Sequence, residues 1–372
     1  MQHRVVSRQH TRPPQPIRPV GAAFATALLL AMLGCGEETT SPAPVDTPAK
    51  PALEVTAAAT YTIKDLGTLG GHSSQARAIN KVGAIVGSST LASGAGHAFL
   101  YKAGVMRDLG ALAGGQSWAT AINDSGVVAG ASWVLSGATR AVRWKNGVKK
   151  NLGTLGGRNS EATGINLSGV IVGWSETAGG QRHGFVWKDG VMTDIGTLGG
   201  PTSVANGINK AGKVVGWSIT ASGEEHAIAW KAGVLSDLGA HGREFTFATA
   251  VNNPGQIVGS EGPALDAVGE ERDWQNPFVY LSGTWTVFGS RQPTSVARAI
   301  SLGGIVVGSD DDFRDETGTT DAWVWEGFGT LQRLPELSVG GSIAFGINQY
   351  GTIVGYSTTP GGDIHAVLWR RQ

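Results

Sequence analysis

Thr62-Ile63-Lys64-Asp65-Leu66-Gly67 matches Val105-Met106-Arg107-Asp108-Leu109-Gly110 position for position. The later stretch closes one copy of a repeated unit, whereas the earlier one has no copy in front of it to close. The last copy breaks off at Trp369-Arg370-Arg371-Gln372, after its third strand and without a fourth. An array with a spare strand at its head and a missing one at its tail is complete only if the two ends meet. Pairing them closes a ring and leaves no open sheet edge. A β-solenoid with two rungs per copy, the competing fold, has no use for such ends.

Working outward from that match, the unit recurs seven times. Its anchor after an isoleucine or valine falls at Asn80, Asn123, Asn166, Asn209, Asn252, Ser301 and Asn348. Four residues earlier stands alanine in every copy, from Ala76 to Ala344, and six earlier a hydroxyl, from Ser74 to Ser342. Glycine follows three and seven residues later (Gly83 and Gly87 in the first copy), and an aromatic stands at Tyr101, Trp144, Trp187, Trp230, Tyr280, Trp325 and Trp369. Each copy holds four short strand patterns and no helical period. Repeats of this length and content predict an all-β fold, a seven-bladed β-propeller of four antiparallel strands per blade, closed by residues 61–67.

Within a blade, alternation puts Ser74, Ala76, Ala78 and Asn80 on one face of the inner strand and Gln75, Arg77 and Ile79 on the other. The small face lets a neighbouring sheet approach closely. Asn80-Lys81-Val82-Gly83 has the form of a type I turn followed by a left-handed glycine. In the second hairpin turn, Ala103 and Ala232 argue against type I′, because alanine tolerates positive φ poorly.

The first sixty residues lie outside the pattern and read as export and tethering. Arg4, Arg8, Arg12 and Arg18 lead into an apolar run from Val20 to Leu33, shorter than the roughly twenty residues of a membrane span. The run stops at Gly34-Cys35, the only cysteine of the chain. Met32-Leu33-Gly34-Cys35 resembles a bacterial lipoprotein lipobox, with Met32 where that pattern usually has leucine. The resemblance implies a signal peptide over 1–34 and a lipid on Cys35. A secretory signal cut elsewhere and an uncleaved helix are the competing readings. Pro42, Pro44, Pro48 and Pro51 make residues 35–60 a tether unable to order itself, with a reach of roughly 25–30 Å as a flexible coil. The propeller then occupies residues 61–372, held by packing alone. With 29 basic and 29 acidic residues, nothing steers the chain to nucleic acid; it reads as a monomer tied to a membrane through its lipid.

The repeat itself resembles the bacterial extracellular HAF repeat. The resemblance rests on His97-Ala98-Phe99, on the Asp-Leu-Gly-Thr-Leu-Gly-Gly stretch from Asp65 to Gly71, and on the Ile-Asn-x-x-Gly turn. His183, His226 and His365 keep the name-giving histidine, while Arg140, Asn276 and Asp321 replace it. The resemblance implies an exported repeat domain with no assigned reaction, and it supplies no catalytic residue.

No copy holds a nucleophile elbow, a metalloprotease helix, a paired-cysteine metal site or a phosphate-cradling loop. The histidines stand at equivalent places in different blades, too far apart to share an ion, and read as structural. The large aromatics read as inter-blade core. Trp174, Trp217 and Tyr356 precede variable loops, where they could stack on a sugar or peptide.

Breaks in the repeat concentrate at blades five and six. The crossing into blade five becomes Ala240-His241-Gly242-Arg243, the one into blade six holds Arg291, and the one out of it holds Leu334-Pro335. The long loops carry Asp266, Glu270, Glu271, Asp273 and Trp274 in blade five, and Asp310, Asp311, Asp312, Asp315 and Glu316 in blade six. Loops and crossings emerge on one face, so one sector of that face is irregular and acidic. His241, Arg243, Glu270, Glu271, Asp273, Trp274 and Arg291 are therefore candidate contacts for a protein or glycan partner. Asp310, Asp311, Asp312 and Asp315 are candidate Ca²⁺ ligands, against the plainer reading of a solvated acidic loop. No other cofactor is implied. A glycoside hydrolase or lyase using two of these carboxylates is the alternative from another class.

Overall fold

The computed structural model describes residues 59–262, 275–289, 294–311, 320–327, 329 and 331–372, with the backbone alone for Asp311. The leader, Cys35 and the tether to residue 58 lie outside the described residues. The described strands form seven four-stranded sheets, and no helix occurs among the described residues.

Blade one runs from its inner strand Gly70–Ile79 through Ile85–Leu91 and Gly96–Lys102 to the outer strand Val105–Asp108, and the other blades repeat that order. Blade seven has Ser342–Ile347, Ile353–Thr358 and Ile364–Arg371, and takes its outer strand, Tyr61–Asp65, from the head of the chain. The register runs antiparallel from Tyr61 opposite Arg371 to Asp65 opposite Val367. Leu66 N–H extends the ladder to the Ala366 carbonyl at 2.9 Å. The ring therefore closes as the terminal match predicts.

The anchor asparagine earns its place twice. Its Oδ1 accepts the backbone N–H four residues on, as from Ala84 to Asn80 at 2.9 Å, which holds the three-residue loop with Gly83 left-handed at φ 80°. Its Nδ2 donates to the next blade's anchor carbonyl: Asn80 to Asn123 at 3.1 Å, onward around the ring to Asn252 on Ser301 at 3.1 Å, and Asn348 back to Asn80 at 3.3 Å. Ser301 caps its own turn through Oγ, on the Ile305 N–H at 3.0 Å, but a hydroxymethyl group is too short for the second task. The hydroxyl six residues before the anchor ties blades together as well. Ser74 Oγ accepts from Ala366 N–H at 2.8 Å and donates to Gly67 O at 2.6 Å, and Ser117, Ser160, Ser203 and Thr246 repeat the bond to the preceding blade. These hydroxyls are buried structural bridges.

The second strand runs past Gly87, which the sequence pattern placed at its end, and Gly87 and its counterparts are glycine because no side chain fits. A Cβ at any of the seven positions would stand 1.8–2.1 Å from an inner-strand carbonyl oxygen. The inner strands do approach closely, as their small face predicts: a Cβ on Gly207 would meet Ala250 Cα at 3.2 Å. The strict alternation expected along them is broken, however, by a bulge just after the repeat alanine in every blade, and by a second register shift near the start of the strand in blades one, three and four. In blade one Ala76 opposes Gly87 and Ala78 opposes Val86, so Arg77 is extra.

The second hairpin turn departs from the sequence expectation. Lys102 pairs directly with Val105, and the two residues between, Ala103 and Gly104, have φ of 51° and 84°. Positive φ at both central positions of a two-residue loop defines type I′. Asn146, Asp189, Ala232 and Ser282 take the same conformation, at φ 50°. The twist of the flanking strands selects the turn, and alanine complies at a cost of about 1–2 kcal/mol.

The repeat aromatics fill the space between blades as expected. Tyr101, Trp144, Trp187 and Trp369 are buried, with Ile, Val and Ala of adjacent sheets around them.

Candidate functional site: the loop face and the channel

One position shows how blades five and six differ. Ser89, Ser132, Ser175, Ser218 and Ser357 are buried at the end of their second strands, and each Oγ accepts a leucine N–H from the crossing into its own blade, at 2.8–3.0 Å. In blade five that position is Glu261, opposite Thr246, and in blade six Asp310, opposite Ser295.

Glu261 is fully buried. Its carboxylate is met by His241 Nδ1 at 3.1 Å and by Arg243 Nε at 2.9 Å, the latter angled as an ion pair rather than a hydrogen bond. His241 also stacks on Trp285, with ring centroids 5.0 Å apart. The altered crossing and the new carboxylate are thus halves of one feature: a longer acidic side chain replaces serine, and two cationic or polar groups replace the leucine N–H. A buried carboxylate is tolerated only when paired in this way.

In blade six, burial raises the pKa of Asp310, and the nearby Ser295, Arg333 and Trp323 only partly oppose this. Asp310 Oδ1, Ser295 Oγ and Trp323 Nε1 are all buried without a hydrogen bond among the described residues. Asp321 pairs with Arg333 at 2.6 Å. Glu336, which accepts from Ser342 Oγ at 2.7 Å, is likewise raised by burial, with Asp321 adding to the rise. Among the described residues, three carboxylates therefore share one blade edge with Arg333.

The histidines of blades one, three, four and seven do hydrogen-bonding work. His97, His183, His226 and His365 set Nδ1 2.7–2.9 Å from Asp108, Asp194, Asp237 and Asp65. Each joins the third strand to the outer strand of its blade.

Of the candidate contacts, His241 and Arg243 come together on Glu261. Trp174, Trp217 and Tyr356 lie half-buried on second strands, opposite Glu161, Val204 and Ile343. Arg182 covers the Trp174 ring at 4.1 Å, so that ring already carries a cation. Glu270, Glu271, Asp273, Trp274, Arg291, Asp312 and Asp315 lie outside the described residues, as does the side chain of Asp311. Among the described residues no three His, Cys, Asp or Glu side chains converge as a metal site.

Sequence reasoning passed over the channel. Trp118 Nε1 donates to Glu161 Oε1 in the next blade at 2.7 Å. Burial pushes the Glu161 pKa up, opposed by both indoles, Trp118 and Trp174, and by Arg77 and Arg182. Arg77, Arg298 and Phe345 occupy bulge positions and line a central cavity of about 290 Å³ to which all seven blades contribute. A signal did exist. In a repeat protein, the inner-strand positions where the copies disagree in chemistry face the shared axis. Gln75, Trp118, Glu161, Val204, Phe247, Val296 and Ile343 form one such row, and Arg77, Thr120, Thr163, Asn206, Thr249, Arg298 and Phe345 the next.

The fold and these sites define the class: a seven-bladed β-propeller with an irregular loop-face sector and a lined channel. No protein-family model matches the chain. No curated protein sequence matches it either. Among solved structures it is similar to the acylaminoacyl peptidase of Pyrococcus horikoshii, at 13% identity and a TM-score of 0.50, over 83% of this chain and 53% of that one. It is also similar to TolB from Acinetobacter baumannii, at 10% identity and a TM-score of 0.43, over 67% and 64%. A mutant of the Aleuria aurantia lectin in complex with Fucα1-6GlcNAc aligns at 12% identity and a TM-score of 0.35, over 67% and 92%. The chain thus spans under two thirds of the peptidase and of TolB, and at these identities the likeness concerns the fold alone.

Proposed function

We propose that this protein is an exported HAF-type propeller, anchored to the cell envelope through a lipid on Cys35, that binds a protein or glycan partner with its loop face around blades five and six. The observation that carries the reading is the replacement of a buried structural serine by Glu261 and Asp310 in those two blades alone. Five blades satisfy the same backbone site with a hydroxyl at no electrostatic cost. Retaining carboxylates there opposes stability, and residues that oppose stability concentrate where a protein does its work. Glycan and peptide arrays test the reading, comparing the wild type with Trp217→Ala and with a chain whose 263–274 loop is replaced by the short loop of blade four. Retention of a ligand by the wild type and its loss in the loop variant is expected. A ligand bound equally by both would remove the sector from the function. The anchor is tested separately: Cys35→Ser should move the exported protein to the soluble fraction, and membrane retention with the leader cleaved would sink it.

A second reading is favoured by one observation. Asp310 and Glu336 are both raised by burial and both feel Asp321, and a carboxyl group kept protonated by desolvation is what the general acid of a glycoside hydrolase or lyase requires. Release of reducing ends from a polysaccharide panel, abolished by Asp310→Asn, would establish it; an inactive wild type across the panel would dismiss it.

A further inference from the structure

The face opposite the variable loops, where the two hairpin turns of each blade emerge, carries a charge pattern of its own. Lys102, Lys145, Lys188 and Lys231 end the third strand in blades one to four. Arg370 follows Trp369 in blade seven as Lys102 follows Tyr101 in blade one. All five are exposed. Blade five has Leu281 at this position and blade six Glu326. Because blade seven adjoins blade one in the closed ring, the five basic positions form one unbroken arc.

Apolar side chains accompany the arc. Val105, Val148, Val191 and Val234 stand directly opposite the four lysines, across the type I′ turns, and are 50–67% exposed. The anchor turns on the same face add Val82 and Tyr350, also exposed. Single exposed apolar residues are ordinary, but a lysine–valine pair repeated in four adjacent blades is a patterned surface. Among the described residues the acidic side chains of this face are Asp124, Asp189 and Glu326. Lys81 takes Asp124 at 3.8 Å and Arg371 takes Glu326 at 3.3 Å. Equal totals of acidic and basic residues over the whole chain therefore conceal a basic arc.

The chain also enters the propeller on this face. The Thr60 carbonyl accepts from Gln372 N–H at 2.9 Å, and Tyr61 stands opposite Arg371, at the blade-seven end of the arc. A membrane anchor upstream of Thr60 would bring the turn face, and not the loop face, to the bilayer.

We propose that the turn face of blades seven and one to four docks on an anionic phospholipid surface. The lysines and Arg370 meet headgroup phosphates, and the valines sit at the boundary with the acyl chains. The loop face then points away from the bilayer, toward the partner. This docking rests on side chains of the propeller and does not need a lipid on Cys35. It is peripheral and reversed by salt, so fractionation that tests the anchor is read after a high-salt wash, which removes a docked protein and leaves a lipidated one.

The test is vesicle flotation of the exported Cys35→Ser protein, which keeps the face but has no sulfur to acylate. It should float with phosphatidylcholine vesicles containing one quarter phosphatidylglycerol at low salt, and should neither float with pure phosphatidylcholine nor stay bound at high salt. Lys145→Gln and Lys188→Gln should each weaken binding about fivefold, with Tm unchanged because both side chains are exposed. Val148→Ser with Val191→Ser should weaken it while keeping its salt dependence. Arg158→Gln, on the loop face, should have no effect. Absence of binding, equal binding to neutral vesicles, or lysine variants that bind as the wild type does would each overturn the proposal. So would lysine-dependent capture by immobilised polyglutamate without any vesicle binding, which would assign the arc to an acidic polypeptide.

Discussion

Asp321 and Arg333 form in blade six, at 2.6 Å, the same cross-strand pair that His97 and Asp108 form in blade one, with the polarity reversed. Asp321 stands opposite Asp310 as His97 stands opposite Ser89, and Arg333 opposite Trp323 as Asp108 opposite Phe99. The contact has been kept while its chemistry was inverted, which marks it as a stabilising link between third and outer strands. Among the described residues the outer strand of blade six is Gln332–Arg333 alone, so this pair carries more of the attachment there. Arg333→Asp should destabilise by roughly 1 kcal/mol, since it sets like charges together beside two further raised carboxylates. Adding Asp321→Arg should recover most of the loss, and urea unfolding of the four-member cycle measures the coupling. Additive losses would show that the pair contributes nothing.

Ring closure predicts the largest effect. Deleting residues 61–67 removes the outer strand of blade seven, together with buried Leu66 and half-buried Ile63. Burying a side chain of that size contributes about 1.5–3 kcal/mol, against about 5–15 kcal/mol for a whole domain. Thermal melting should show a large drop and concentration-dependent aggregation through the exposed edge of Ile364–Arg371. Deleting residues 36–58 should leave Tm unchanged. Equal melting of the 61–67 deletion and the intact chain would contradict the closure.

The channel carboxylate predicts a pH dependence. Burial raises the Glu161 pKa from its ordinary 4.5, so the folded state holds this proton more tightly than the unfolded chain does. Stability from this group is greatest below 4.5 and is lost as pH rises through the folded-state value. Asp310 and Glu336 act in the same direction, and Glu176, lowered chiefly by Asn159, acts in the opposite one. Glu161→Gln should raise Tm at pH 7, keep an acceptor for Trp118, and shallow the decline of Tm between about pH 4.5 and 7. A variant that follows the wild-type curve throughout would show that Glu161 is adequately solvated.

The type I′ turns offer an independent test. Asn146 already occupies this left-handed position in blade two, and asparagine tolerates it better than alanine. Ala103→Asn and Ala232→Asn should each stabilise by about 0.5–1 kcal/mol in denaturant unfolding, nearly additively because the turns belong to different blades. A loss of stability would mean that the positive φ is not strained.

Much of the architecture could be read directly from the chain. Blade number, strand order and closure follow from the period and from the match between Thr62–Gly67 and Val105–Gly110, because a repeat writes its contacts at fixed spacing. The anchor asparagine is recognisable as a turn residue, but its second bond runs to a different blade and has no local signature. Alanine at residue 103 misleads for a related reason: intrinsic preference loses to a twist imposed by the paired strands.

What the sequence determined by itself is the ring: periodic apolar, glycine and hydroxyl positions, and two complementary ends, fix seven blades whatever the side chains between them do. Only the tertiary structure decided which of the irregular residues meet. Glu261 joins His241 and Arg243 across a crossing, and Arg298, Phe345 and Arg77 become neighbours although Arg77 and Phe345 lie near opposite ends of the chain. The reason is geometric. A closed ring brings equivalent positions of all blades to one axis, and a bulge turns one residue of each inner strand toward it, so the lining of one cavity is assembled from residues that have no spacing in common.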